Sequence, residues 1–136
     1  MTLYFITANK NKLREVKEIL GIDIKQLDIN LPEIQELDSK KIIKEKIEEA
    51  IEHHKGKFIV EDTSLYFEGL NGLPGPLIKW FLSALGLEGL FNLCKASGDF
   101  KATASTMIGY YNGKEIQFVR GEIWIEIVPA GNKVTY

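Results

Sequence analysis

Phe58-Ile59-Val60-Glu61-Asp62-Thr63-Ser64-Leu65, then Gly69-Leu70-Asn71-Gly72-Leu73-Pro74-Gly75-Pro76, then Ile78-Lys79-Trp80-Phe81: the reading of this chain turns on that stretch. A short apolar strand, Lys57 to Val60, delivers two adjacent carboxylates to its C-terminal end. A run too rich in Gly and Pro for regular structure follows at once. Unpaired carboxylates are costly to bury, so this layout predicts a site and not a core.

Outward from that stretch the elements alternate. Leu3 to Ile6 reads as a strand, and Leu13, Val16, Ile19 and Leu20 form one face of a helix from Lys10, with Gly21 as its stop. Ile24 to Ile29 reads as a second strand. Ser39 is the expected N-cap of a helix burying Ile42, Ile43, Ile47, Ala50 and Ile51. Pro74 and Pro76 are expected near the start of a helix through Ile78, Phe81, Leu82 and Leu85, with a further helix over Leu87 to Ala96. The remainder reads as β: Lys101 to Tyr111, an Asn112-Gly113 hairpin signal, Glu115 to Val119, then Glu122 to Val128 with Ile123, Ile125 and Ile127 alternating. Strand–helix units followed by an antiparallel tail predict an α/β fold, a mixed sheet flanked by helices.

The chain has 136 residues, 45% hydrophobic and 26% charged, which predicts one domain over 1–136 with a core of its own. Its formal net charge is −2, so nothing global favours nucleic acid or an anionic membrane, and an anion would need a local cluster of cations. Those cations are Lys at every position but Arg14 and Arg120. Cys94 has no partner for an internal disulfide and reads as a small buried hydrophobe, in keeping with a reducing, cytoplasmic setting. No apolar run approaches a membrane span and no signal-peptide pattern opens the chain.

Three places could carry chemistry. At Thr7-Ala8-Asn9-Lys10-Asn11-Lys12 a strand gives way to a helix, whose first N–H groups and dipole favour an anion; Thr7, Asn9 and Lys12 add a hydroxyl, an amide and a charge. Asn9 serving only as a helix cap is the alternative. Glu61-Asp62, with Glu33 after Pro32, offers the few carboxylates that Mg²⁺ takes beside substrate oxygens, or else a solvated turn. Lys79 beside Trp80 could bring a cation and an aromatic face to a nucleotide, or be a surface lysine next to a core tryptophan. His53-His54 reads as a solvated helix end, since no ligand stands at zinc spacing.

Together these places resemble one family. Thr7-x-Asn9-x-x-Lys12-x-x-Glu15, Leu31-Pro32-Glu33, Val60-Glu61-Asp62-Thr63 and Gly72-Leu73-Pro74-Gly75-Pro76-x-Ile78-Lys79-Trp80-Phe81 are similar to the inosine triphosphate pyrophosphatases, the Ham1-like non-canonical purine NTP pyrophosphatases. The related Maf-type pyrophosphatases fit less well, because Ile78-Lys79-Trp80-Phe81 speaks against them. The resemblance implies an elongated two-lobed α/β fold, Mg²⁺, a homodimer, and hydrolysis of ITP, dITP and XTP to the monophosphate and pyrophosphate. It further implies that Thr7, Asn9, Lys12, Lys46, Thr63 and Lys79 bind substrate, that Glu33 and Asp62 hold the metal, and that Asp62 activates water.

Toward the C-terminus the resemblance thins. Family members usually continue past Phe118-x-Arg120-Gly121 through an aromatic-Asp-Pro segment, a Pro-x-Gly-x-x-x-Thr-aromatic step and a Ser-His-Arg helix. Here Pro129, Gly131, Thr135 and Tyr136 fit only the middle step, and the expectation is a shortened member lacking roughly the last quarter. An alternative function follows: a catalytically impaired or inactive member that retains nucleotide or metal binding or a dimerisation role.

Overall fold

A computed structural model describes residues 2–129. In chain order the elements are β1 (Leu3–Ile6), α1 (Lys10–Leu20), β2 (Ile24–Leu27), α2 (Ser39–His53), β3 (Phe58–Phe67), β4 (Pro74–Gly75), α3 (Ile78–Ser97), β5 (Lys101–Tyr111) and β6 (Ile116–Glu126). The strands form one mixed six-stranded sheet in the order β2-β1-β3-β5-β6, with β4 paired to β3. The chain packs as two compact units. Among the described residues the first holds 2–34, Lys40–Asp62 and Met107–Val119; the second holds Gln35–Ser39, Thr63–Thr106 and 120–129.

In the first unit β1 runs parallel to both neighbours, with Leu3 opposite Ile24 and Phe5 opposite Ile59. From β1 the chain steps one way to β2 through α1, then back past β1 to β3 through α2. Right-handed crossovers in opposite directions put their helices on opposite faces of a sheet. The two apolar layers bear this out. Leu13 and Val16 of α1 pack on Phe5, Ile24 and Ile59, whereas Ile43, Ile47 and Ala50 of α2 pack on Ile6, Phe58 and Val60. Asn9 caps α1 through its Oδ1, and the Gly21 N–H closes the helix on Lys17 O. In the second unit α3 buries Leu90 and Cys94 against Phe67 and Ala102, so Cys94 is the small core residue expected.

Several expectations change. β3 does not stop at Val60 but continues to Phe67, because β4 supplies it with an antiparallel partner, Leu65 opposite Gly75 and Tyr66 opposite Pro74. Pro74 is therefore a strand residue, not part of a helix start. α3 spans both expected helices and is interrupted at Gly86, whose φ of 70° and ψ of 178° are not helical. β6 is one strand through Val119-Arg120-Gly121 where two were expected, since the equally long β5 gives it a continuous partner. The hairpin loop takes four residues, with Asn112 Oδ1 accepting from the N–H groups of Lys114 and Glu115 at 2.9 and 2.8 Å. Ser39 opens α2 as its first residue, and its Oγ lies 3.4 Å from Ser64 Oγ. Ile51 and Ile123 are exposed. Of the expected Pro-x-Gly-x-x-x-Thr-Tyr step, Gly131, Thr135 and Tyr136 lie outside the described residues.

How closely α2 approaches β5 depends on Gly109. A Cβ there would collide with Ile43 Cγ2 and stand 2.9 Å from Ile47 Cδ1. Gly109→Ala is expected to destabilise the protein by about 1–3 kcal/mol, the usual cost of overpacking a tight core. Urea unfolding measures it; an unchanged midpoint would mean that α2 does not sit against β5 at this distance.

Candidate functional site

β1 ends at Ile6 while β3 runs on, so Glu61 and Asp62 lie just past the carboxyl end of β1, beside the turn that enters α1. Parallel strands whose following connections leave in opposite directions open a crevice at their carboxyl ends, where ligands bind in doubly wound sheets. The β2-β1-β3 order places that switch point between β1 and β3.

Side chains alternate along a strand, so adjacent Glu61 and Asp62 must point to opposite faces. Glu61 shares the face of Ile59, which α1 covers, and Asp62 shares that of Val60, which α2 covers. Each meets a lysine from the helix on its own side. Lys12 Nζ of α1 donates to Glu61 Oε1 at 2.5 Å. Lys46 Nζ of α2 lies 4.0 Å from Asp62 Oδ1 and donates instead to the Glu61 carbonyl at 2.9 Å. The side chains of Lys46 and Asp62 are only 13% and 14% exposed.

The two carboxylates therefore differ. Glu61 has a short, charge-assisted hydrogen bond. Asp62 has an ammonium at the limit of ion-pair range, and its Oδ2 is buried with no hydrogen-bond partner. Burial is the main cause that pushes the Asp62 carboxyl from 3.8 up to about 6; Lys46 opposes it, Glu61 adds to it, and Lys12 opposes it. An under-compensated buried carboxylate oxygen fits a site that takes either a proton or a cation. Glu33 is exposed and stands in the irregular run after β2, in the same unit. Among the described residues no three His, Cys, Asp or Glu side chains gather as a metal cage. Mg²⁺ does not require one, because it is held by one or two carboxylates, waters and substrate oxygens.

The turn before α1 is ordered by its own side chains. Thr7 Oγ1 accepts from Asn9 N–H at 3.0 Å, and Asn9 Oδ1 accepts from the N–H groups of Asn11 and Lys12 at 3.0 and 3.2 Å. Gln26 Nε2 donates to Thr7 O at 2.7 Å and ties the turn to β2. Asn9 is thus the helix cap, and its side-chain NH₂ remains as a donor for a ligand. Of the expected site residues, Thr7, Asn9, Lys12, Glu33, Lys46 and Asp62 all belong to the first unit, and the Lys12–Glu61 pair joins the turn to the acidic strand. The chain returns to the second unit at Thr63, the exposed residue after Asp62; exposed Lys79 is also there, on α3. Trp80 is half-buried and lines a pocket of about 480 Å³ with Gln35, Glu36, Leu37, Leu77 and Phe81, so it is neither sealed in the core nor fully exposed.

Glu61 was expected only as half of an acidic pair, with no role of its own. Strand alternation was the signal, for it sends one of two neighbouring acids to each helix. The histidines also divide: His53 pairs with Glu49 at 3.0 Å on the surface of α2, whereas His54 packs edge-on against Tyr4 with its Nε2 buried, not solvated as expected.

The raised Asp62 carboxyl makes a stability prediction. Well below pH 4 the group is neutral in both folded and unfolded chains and costs nothing; as pH rises from about 4 through 6 the unfolded chain ionises first, and above 6 the folded protein must hold a buried charge, so stability is lost across that window. In metal-free buffer Asp62→Asn should stabilise the protein by roughly 1–3 kcal/mol at pH 8 and by nearly nothing at about pH 3. Urea unfolding in EDTA at the two pH values checks this, and an equal effect at both would contradict it.

Residues 3–135 match the description of the Ham1 family. An inosine triphosphate pyrophosphatase of Schizosaccharomyces pombe is 42% identical over 132 residues, covering 94% of this chain and 70% of the relative. One of Ajellomyces capsulatus is 46% identical over 133 residues, covering 95% and 72%. Among solved structures, the Staphylococcus aureus Ham1 protein superimposes with a TM-score of 0.76 at 20% identity, over 94% of this chain and 72% of that one. Carboxylates at the β1/β3 switch point, a capped anion-ready helix and a sequence match along almost the whole chain agree: the chain belongs to the Ham1 family.

Proposed function

We propose that the protein is a Mg²⁺-dependent nucleoside triphosphate pyrophosphatase. It hydrolyses the non-canonical purine nucleotides ITP, dITP and XTP to the monophosphate and pyrophosphate, and acts as a cytoplasmic homodimer. The observation that carries this reading is Asp62, a buried carboxylate with an unpartnered Oδ2 beside the cationic start of α1. Relatives at 42% and 46% identity that are named inosine triphosphate pyrophosphatases support it.

In this reading the start of α1 receives the polyphosphate. The helix dipole, the Asn9 amide NH₂, the Thr7 hydroxyl and the Lys12 ammonium face oxygens of the substrate, giving an acidic chain a local positive site. Mg²⁺, held by Asp62 with Glu33, would neutralise phosphate charge and make bound water more acidic. Asp62, pushed up to about 6 in the metal-free protein and favoured as the carboxylate by a bound cation, is ionised at neutral pH and takes a proton from the attacking water. The new bond is from water oxygen to phosphorus, and the bond broken is the bridge between the α and β phosphates, which leaves as pyrophosphate. Lys46 holds the strand backbone at Glu61 O and so fixes where Asp62 stands. Thr63 and Lys79 are assigned substrate contacts.

Pyrophosphate release from ITP, XTP, dITP, ATP and GTP is the test. The first three should be cleaved faster than the last two, and EDTA should abolish the activity until Mg²⁺ is restored. Asp62→Asn should lower kcat by about 10²–10⁴, the range for loss of a positioned base. Release of no pyrophosphate from any triphosphate by the folded protein would refute the hydrolase reading; retained nucleotide binding would then identify an inactive family member.

A further inference from the structure

Lys12 is asked to do two things at once. It stands in the first turn of α1, where the helix start favours an anion, yet its ammonium already donates to Glu61 Oε1 at 2.5 Å. The two partners are not equally free to move. Glu61 is 17% exposed and sits on a strand whose backbone is held at that residue by Lys46 Nζ, 2.9 Å from the Glu61 carbonyl. Lys12 is 38% exposed and ends a flexible four-carbon stem, so a change in the pair is made by the lysine. A phosphate oxygen that reached Lys12 while the pair stood would come within about 4–5 Å of the Glu61 carboxylate, where like charges in a partly buried site repel strongly. Ligand and carboxylate therefore compete for one ammonium.

We propose that Glu61 is the internal counter-ion of Lys12: its carboxylate occupies the ammonium in the free protein, and a polyphosphate binds by displacing it. In the exchange Lys12 turns from the strand to the ligand, and a phosphate oxygen takes over the charge-assisted hydrogen bond that Glu61 gives up. The carboxylate is tethered, so its effective concentration at Lys12 exceeds that of a free ion, and a small anion that makes no other contact does not capture the lysine. A polyphosphate does, because its other oxygens meet the Asn9 amide, the Thr7 hydroxyl and the helix dipole at the same time. Glu61 thereby sets how many contacts an anion must make before the site retains it, and it reclaims the lysine when the anion leaves. It acts through Lys12 and is a positioning residue. This role rests on the reading of the start of α1 as the polyphosphate site.

Calorimetric titration of the full chain with inorganic tripolyphosphate, with and without Mg²⁺, tests the exchange on binding alone. Glu61→Gln keeps the shape of the side chain and a neutral acceptor for Lys12 but removes the competing charge. It should bind tripolyphosphate roughly tenfold more tightly than the unaltered protein. Its affinity should also fall more steeply as NaCl is raised, because chloride then competes for a lysine that Glu61 had kept occupied. A side chain that only supports the fold would give neither tighter binding nor a steeper salt dependence. Glu61→Asp keeps the charge but stops one methylene short of Lys12, so its affinity should fall between the two; the same comparison is made with it if Glu61→Gln does not fold. Affinity that these substitutions leave unchanged or lower, while the unaltered protein binds tripolyphosphate, overturns the counter-ion role alone. Tripolyphosphate bound by neither the unaltered protein nor the variants overturns the polyphosphate site at α1 together with it.

Discussion

Two adjacent acids on one strand cannot share a face, and the site of this protein follows from that constraint. Glu61 and Asp62 project to opposite sides of β3, each toward a lysine carried by the helix on that side. The helices lie on opposite sides because the chain leaves β1 in one direction for β2 and returns past it to β3. Topology thereby puts Lys12 and Lys46 on different layers yet within reach of neighbouring residues.

The compensation is unequal. Glu61 and Lys12 form a short pair that anchors the start of α1 to the acidic strand. Lys46 gives its hydrogen bond to the strand backbone and stays 4.0 Å from the Asp62 carboxylate. A buried carboxylate with one unsatisfied oxygen costs stability in the free protein, and strain of this kind is retained where a ligand or a proton relieves it. Two cations, Lys12 and Lys46, stand against two anions, Glu61 and Asp62, so the charges at this point nearly cancel in a chain of net charge −2.

Local structure was legible where short-range chemistry decides it. β1 and α1 have the bounds their patterns predict, because Asn9 caps one end of the helix and Gly21 closes the other within a few residues. β3 and β6 were misread, one as shorter and the other as two strands. The cause in both cases is an antiparallel partner, the short β4 for β3 and the long hairpin mate β5 for β6, which overrides the local break signals. The apolar residues Ile51 and Ile123 read as core from their spacing or alternation but are exposed, since periodicity identifies a face and not what covers it.

By itself the sequence determined the family, the capped helix start and the chemical character of the site, because those rest on residue identity and spacing within short segments. Only the tertiary structure decided that Lys12 belongs to Glu61 and Lys46 to Asp62, that Asp62 keeps an unpartnered oxygen, and that β6 lies beside β5. Those outcomes depend on which strands become neighbours and which face each helix covers. They are fixed by long-range packing that no local pattern encodes.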